Sequence, residues 1–151
     1  MEKILFVCHG NICRSVMAQW IFQDLVHRHH LDTQFEIDSA AVSSEETGNC
    51  MYPPARRKLT EKGIPFGEHR ARQMTRADYD HFDHIYIMDD SNRRLMGRIV
   101  RGDPDHKIEM LKKDGSSIFD PWYSGDFEQA YQDIVQGCQE RLDEISGQPS
   151  F

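Results

Sequence analysis

The residues with the clearest chemical potential lie near the amino terminus, where Cys8-His9-Gly10-Asn11-Ile12-Cys13-Arg14-Ser15 sets a thiol and a guanidinium at the two ends of one short loop. Cleaving a phosphate monoester through a covalent intermediate needs a nucleophile in line with the leaving oxygen and donors around the equatorial oxygens, where charge is spread. Every residue from His9 to Arg14 is non-proline, so each backbone amide of the loop is a candidate donor to an oxyanion. Arg14 adds a planar fork that fits two phosphate oxygens. A helix starting just after the loop adds the partial positive charge of its N-terminus, and that field favours the thiolate of Cys8, the form that attacks. Ser15 has a hydroxyl to donate to the sulfur, steadying it as nucleophile and as leaving group. Gly10 and Asn11 are the residue types that tolerate the left-handed backbone of a tight anion cradle.

The Cys-x5-Arg spacing alone is a weak signal, because Cys50 and Arg56 repeat it. That second segment contains Pro53 and Pro54, which have no N–H to offer, and no apolar strand precedes it, so Cys50 reads as structural or adventitious. A cysteine at a strand end is more often a small buried hydrophobe than a nucleophile. For Cys8 the strand, the proline-free loop, the Arg-Ser pair and the helix together favour chemistry.

The leaving oxygen needs a proton, so a carboxylic acid has to reach the loop from elsewhere in the chain. Two Asp-Pro pairs are available, Asp103-Pro104 and Asp120-Pro121, and only the second is followed by aromatics, Trp122 and Tyr123, that would wall a slot for a phenyl ring. Asp103 sits among Arg101, Gly102 and Asp105 in a plain charged turn. On residue types alone, Asp120 stands equally as a turn or capping carboxylate and Trp122 as an anchor of its loop.

Positioning these groups falls to alternating elements. Lys3 to Val7 is a nearly continuous apolar run, as expected of a strand buried on both faces of a parallel sheet. Val16, Met17, Trp20, Ile21 and Leu25 recur at helical spacing and predict a helix from Ser15 to about Arg28. Further strands are expected over Phe35 to Ala40, His84 to Met88 and Lys107 to Leu111, and helices over Ala55 to Lys62, stopped by Gly63, and from about Asn92 to Val100. Lys112 to Gly125 reads as a long polar loop, and a closing helix carries an apolar stripe from Phe127 to Ile145. The tail from Gly147 to Phe151 is expected to fray. The pattern predicts a single α/β domain over 1–151: an open four-stranded parallel sheet with helices on both faces and ligands beyond the carboxyl ends of its strands, where the Cys8 loop lies.

The bulk properties agree. At 151 residues, 38% hydrophobic and 28% charged, the chain is of a size and composition to fold as one domain. Its net charge of -7 repels nucleic acid and anionic membranes, so an anionic ligand must be captured by a local site. The only early apolar run, Ile4 to Val7, is too short for a signal-peptide core or a membrane span, so a cytoplasmic protein is expected, with its four cysteines reduced. His27, His29 and His30, and separately His81 and His84, cluster without Cys or carboxylate partners at ligand spacing, so no metal is expected.

The Cys8 loop, Phe35-Glu36-Ile37-Asp38-Ser39-Ala40, His69-Arg70-Ala71-Arg72-Gln73, Met88-Asp89-Asp90-Ser91-Asn92 and Asp120-Pro121-Trp122-Tyr123 fall in an order and spacing that resemble the low-molecular-weight protein tyrosine phosphatases over nearly the whole chain. The resemblance implies Cys8 as nucleophile, Arg14 with the loop residues His9 to Ser15 as phosphate binder, Asp120 as general acid, and Trp122 and Tyr123 as walls of the pocket. It further implies that Ser39 and His69 hold Asn11, and that Asp89 supports Arg14. The implied substrate is a phosphotyrosine protein or another aryl phosphate, with phosphate- or vanadate-type oxyanions at the loop and no cofactor.

Some positions depart from the family pattern. Val16 stands where a proline is usual, Tyr52-Pro53-Pro54-Ala55-Arg56 replaces Asp-Pro-Arg-Ala, and Glu45 falls where an aromatic often forms the pocket rim, which would make the slot more open and less welcoming to acidic phosphopeptides. Three alternatives share the loop or the fold. A phosphoarginine phosphatase resembles a pattern with Thr at the position of Ile12 and without the paired aromatics. A thiol arsenate reductase needs a further cysteine pair in the middle of the chain, and residues 51 to 137 contain no cysteine. A non-catalytic redox or phosphate-binding module would simply join Cys8 to Cys13, a bond that would also be compatible with reversible protection of the enzyme.

Overall fold

The computed structural model describes residues 1–147. Four parallel strands form one sheet: β1 (Glu2–Cys8), β2 (Phe35–Ala41), β3 (His84–Ile87) and β4 (Ile108–Met110), in spatial order β2-β1-β3-β4. The central place of β1 follows from its composition, since Ile4, Leu5, Phe6 and Val7 are all fully buried and only an inner strand covered on both faces can satisfy such a run. Its register places Phe6 opposite Ser39 and Cys8 opposite Ala41, so β1 and β2 end together and open their loops at the same edge of the sheet.

Alternation of side chains divides the core in two. Ile4, Phe6 and Cys8 point into a cluster with Val16, Ile21 and Phe22 of α1 (Arg14–Arg28) and Ile134 and Cys138 of the last helix, whereas Leu5, Val7, Ile85 and Ile87 meet Tyr79, Phe82, Met96 and Val100 on the other face. After β2 come α2 (Pro53–Glu61) and α3 (Arg76–His81), after β3 comes α4 (Asp90–Met96), and after β4 come α5 (Pro121–Ser124) and α6 (Phe127–Ser146). Gly137 of α6 allows a close approach to the sheet edge, because a Cβ there would lie 2.7 Å from Leu111 Cγ. One turn later the buried Arg141 donates to the carbonyls of Met110 and Leu111 at 2.6 and 3.0 Å and fixes α6 against the end of β4.

The expected doubly covered parallel sheet is present, and three local expectations change. Residues 76–81 form a helix because Thr75 and Asp78 make a reciprocal capping box, a polar signal too short to show as apolar periodicity. The helix expected to reach Val100 stops at Met96 and continues as turns after Gly97. The segment read as loop from Lys112 to Gly125 contains α5, which Asp120 caps through the Trp122 amide and Pro121 starts with its fixed φ. Of the tail expected to fray, the residues after Gly147 lie outside the described ones.

Candidate active site

The loop leaves β1 at Cys8 and enters α1 at Arg14. No side chain caps α1, no acidic residue occupies its first turn, and among the described residues none of the amides from His9 to Arg14 donates to a protein acceptor. A helix terminus with free amides and no counter-anion is a ready receptor for an oxyanion.

The loop is held in this unusual shape by Asn11, which is buried with φ at 61°, in the left-handed region. Its Nδ2 donates to Ser15 Oγ at 2.8 Å and to Ser39 Oγ at 3.0 Å, and its Oδ1 accepts from the Arg72 amide at 3.2 Å and from His69 Nε2 at 2.8 Å. Both ends of the amide are thus doubly satisfied. Ser39 in turn donates to Gln19 Oε1 of α1 at 2.5 Å. Burial lowers the pKa of His69, against the attraction of Asp38 and with the help of Arg72, which favours the neutral ring that donates through Nε2.

Cys8 Sγ lies 3.1 Å from Ser15 Oγ. Because Ser15 accepts from Asn11, its own proton is left for the sulfur. Arg14 is fully buried; its Nη1 donates to Asp89 Oδ2 at 2.7 Å and to the Ile118 carbonyl at 2.9 Å, and its Nη2 reaches Asp120 Oδ2 at 3.4 Å. Burial works against the guanidinium, but the charge of Cys8, the Asp89 hydrogen bond and the charge of Asp120 outweigh it and raise the Arg14 pKa. Asp89 is oriented by its own work as the cap of α4, where it and Asn92 form a reciprocal box. The neighbouring Cys13 differs: burial first, then the charges of Cys8 and Asp120, hold its thiol well above the ordinary range, so it stays protonated.

Cys8, Arg14 and Asp120 line one pocket together with Trp122, Tyr123 and the loop residues His9, Gly10, Ile12 and Cys13, so the candidates for nucleophile, clamp, acid and walls meet at one place. Ser39, His69 and Asp89 stand behind it in the contacts described above. Trp122 and Tyr123 are exposed, and the Trp122 ring is backed by Tyr52 at a centroid distance of 4.6 Å. Tyr52 also donates its amide to the Ile12 carbonyl at 2.9 Å, so the segment that departs from the family pattern ties the aromatic wall to the loop. Sequence reading missed Tyr52, Gln19, Arg72 and Glu46, which act through neighbours distant in the chain; a tyrosine just before the paired prolines was the one available sign. Cys50 is exposed and lies outside this pocket, and Asp103 is engaged by Tyr79, Lys107 and Ile108. Among the described residues no group of three or more His, Cys, Asp or Glu side chains converges to hold a metal ion, and no helix is long and apolar enough to cross a membrane.

A thiol and a guanidinium on one anion-receiving loop at the carboxyl edge of a parallel sheet mark a class of α/β proteins built around a cysteine-arginine phosphate loop. The chain belongs to the low molecular weight phosphotyrosine protein phosphatase family, whose model matches residues 3–149. A human low molecular weight phosphotyrosine protein phosphatase is 38% identical, with 94% of each chain covered. The crystal structure of YfkJ from Bacillus subtilis superposes with a TM-score of 0.92 at 34% identity, covering 99% of this chain and 98% of that one. The structure described as DARP, drosophila arginine phosphatase, superposes with a TM-score of 0.83 at 31% identity, covering 96% of this chain and 98% of that one.

Proposed function

We propose that the protein is a cytoplasmic, single-domain phosphatase that hydrolyses phosphotyrosine and related aryl phosphate monoesters through a phosphocysteine on Cys8. The observation that carries the reading is the convergence of Cys8, Arg14 and Asp120 in one pocket walled by aromatic residues. The loop amides and Arg14 grip the phosphate oxygens, and the Cys8 thiolate attacks phosphorus opposite the aryl oxygen. As the P–O bond breaks, Asp120 in its acid form gives its proton to the departing phenolate. Water then attacks the phosphocysteine, the Asp120 carboxylate takes its proton, the S–P bond breaks, and phosphate leaves with Cys8 restored as thiolate. Ser15 supports the sulfur as leaving group in this second step.

A second reading keeps the mechanism and changes the substrate to phosphoarginine, favoured by the likeness to a protein described as an arginine phosphatase. Trp122 and Tyr123 fit an aryl group better. Phosphate release from a phosphotyrosine peptide and a phosphoarginine protein, with wild type and Cys8→Ser, separates the two. Phosphotyrosine turnover that vanishes in the variant is expected; a preference for phosphoarginine transfers the activity to the second reading, and turnover surviving in Cys8→Ser removes Cys8 from its role.

A further inference from the structure

The mouth of the pocket carries a charge opposite to what a phosphate site would be expected to show. Glu45 and Glu46 both line it, Asp120 adds a third carboxylate, and among the described residues the only Arg or Lys in the lining is Arg14, which is fully buried at the floor. His9 is the one other basic group there, and its Nε2 is engaged with Glu45 Oε2 at 3.1 Å. Glu45 itself is 70% exposed, so its charge faces whatever approaches the pocket.

This acidic rim is built, not incidental. Glu46 Oε2 accepts from Asn49 Nδ2 at 2.6 Å, and its side chain lies over the bare backbone of Gly10, where a Cβ would come within 3.3 Å of Glu46 Cγ. The segment between is fastened by Ser43 Oγ donating to the His9 carbonyl at 2.9 Å, by the Asn49 amide on the Glu46 carbonyl at 2.9 Å and by the Gly48 amide on the Ala71 carbonyl at 2.8 Å. Two carboxylates fixed beside the path of a dianion oppose its capture, and the chain's net charge of -7 adds to that opposition. Their effect on the residues flanking the phosphate has the reverse sign for cations.

We infer that Glu45 and Glu46 are specificity-determining residues that select phosphotyrosine flanked by lysine or arginine and reject acidic flanks. The inference rests on the phosphotyrosine reading above and names its substrate class. The discrimination combines attraction to the right partner with repulsion of the wrong one. Each exposed charge pair contributes a factor of about two to five, so two glutamates acting on paired flanks give about tenfold between lysine and glutamate flanks.

The test compares kcat/KM for phosphotyrosine peptides with lysines or with glutamates on both sides, each referred to para-nitrophenyl phosphate measured on the same protein, for wild type, Glu45→Gln/Glu46→Gln and Glu45→Lys/Glu46→Lys. Wild type is expected to favour the lysine peptide about tenfold at low salt, with the ratio falling toward one at about 1 M salt, where charges are screened beyond about 3 Å. The glutamine pair should lose the preference and the lysine pair should invert it. Equal use of both peptides by wild type at low salt, or a preference that survives in the glutamine pair, overturns the inference while turnover of para-nitrophenyl phosphate leaves the phosphatase reading intact. No turnover of any of the three substrates by wild type overturns that reading and this one with it.

Discussion

Asn11 offers the sharpest prediction, because its side chain makes four hydrogen bonds and its backbone sits at a φ of 61°. Asn11→Ala removes all four, leaving the half-buried Arg72 amide without its acceptor and His69 Nε2 with only its longer contact to Ser39 Oγ at 3.3 Å. At about 1 kcal/mol net per bond this is about 4 kcal/mol, and a Cβ held in the left-handed region without a local hydrogen bond adds about 1 kcal/mol. At about 2–4 °C per kcal/mol for a chain of this size, the melting temperature should fall by about 10–20 °C. Asn11→Gly should be about 1 kcal/mol less damaging, because glycine adopts this backbone freely. Both variants should lose about a hundredfold in kcat/KM, since displaced loop amides no longer meet the phosphate oxygens. Thermal unfolding and vanadate titration of the three proteins measure this. An Asn11→Ala protein that melts with wild type and binds vanadate as tightly would refute the idea that this network shapes the loop.

Three further outcomes follow from other parts of the structure. His69 has a folded pKa below 6.5, so its contribution to stability is complete above about pH 6.5 and is lost as pH falls from there through the folded value; His69→Gln should show a flatter stability curve across that window in urea titrations, and equal slopes would contradict this. Tyr52→Ala removes the ring 4.6 Å from Trp122, and by the worth of such a pair, about 1 kcal/mol, should raise KM for phosphotyrosine peptides about fivefold with little change in kcat; an unchanged KM would show that Trp122 needs no backing. Gly137→Ala gains about 1 kcal/mol of helix propensity but forces a methyl to within 2.7 Å of Leu111 Cγ, so the melting temperature should fall, and a rise would mean that α6 shifts at no cost.

How far the sequence disclosed this molecule depended on whether a signal was local. The buried run of β1 and the amphipathic face of α1 are written in consecutive residues, and they locate the loop between them. Helix α3 depends on a capping pair and α5 on a proline and an aspartate, devices without apolar periodicity, and both were hidden. The loop itself was legible because Cys8, Arg14 and Ser15 are neighbours in the chain. Asp120 needed the resemblance to a family to single it out, since the sheet topology alone brings it to within 3.4 Å of Arg14. For Tyr52 the only sign was its place just before paired prolines, and for Glu46 there was none: their roles arise from contacts with Trp122 and Gly10 that only the folded chain creates.

The central claim, that phosphate passes through Cys8, is tested most directly by rapid acid quench of the enzyme turning over a phosphotyrosine peptide, followed by peptide mapping. Phosphate is expected on the peptide that contains Cys8, absent in Cys8→Ser and formed more slowly in Asp120→Ala, with the deficit shrinking for aryl phosphates that have good leaving groups. Steady turnover with no phosphate on Cys8 at any time point, undiminished in Cys8→Ser, would contradict the account.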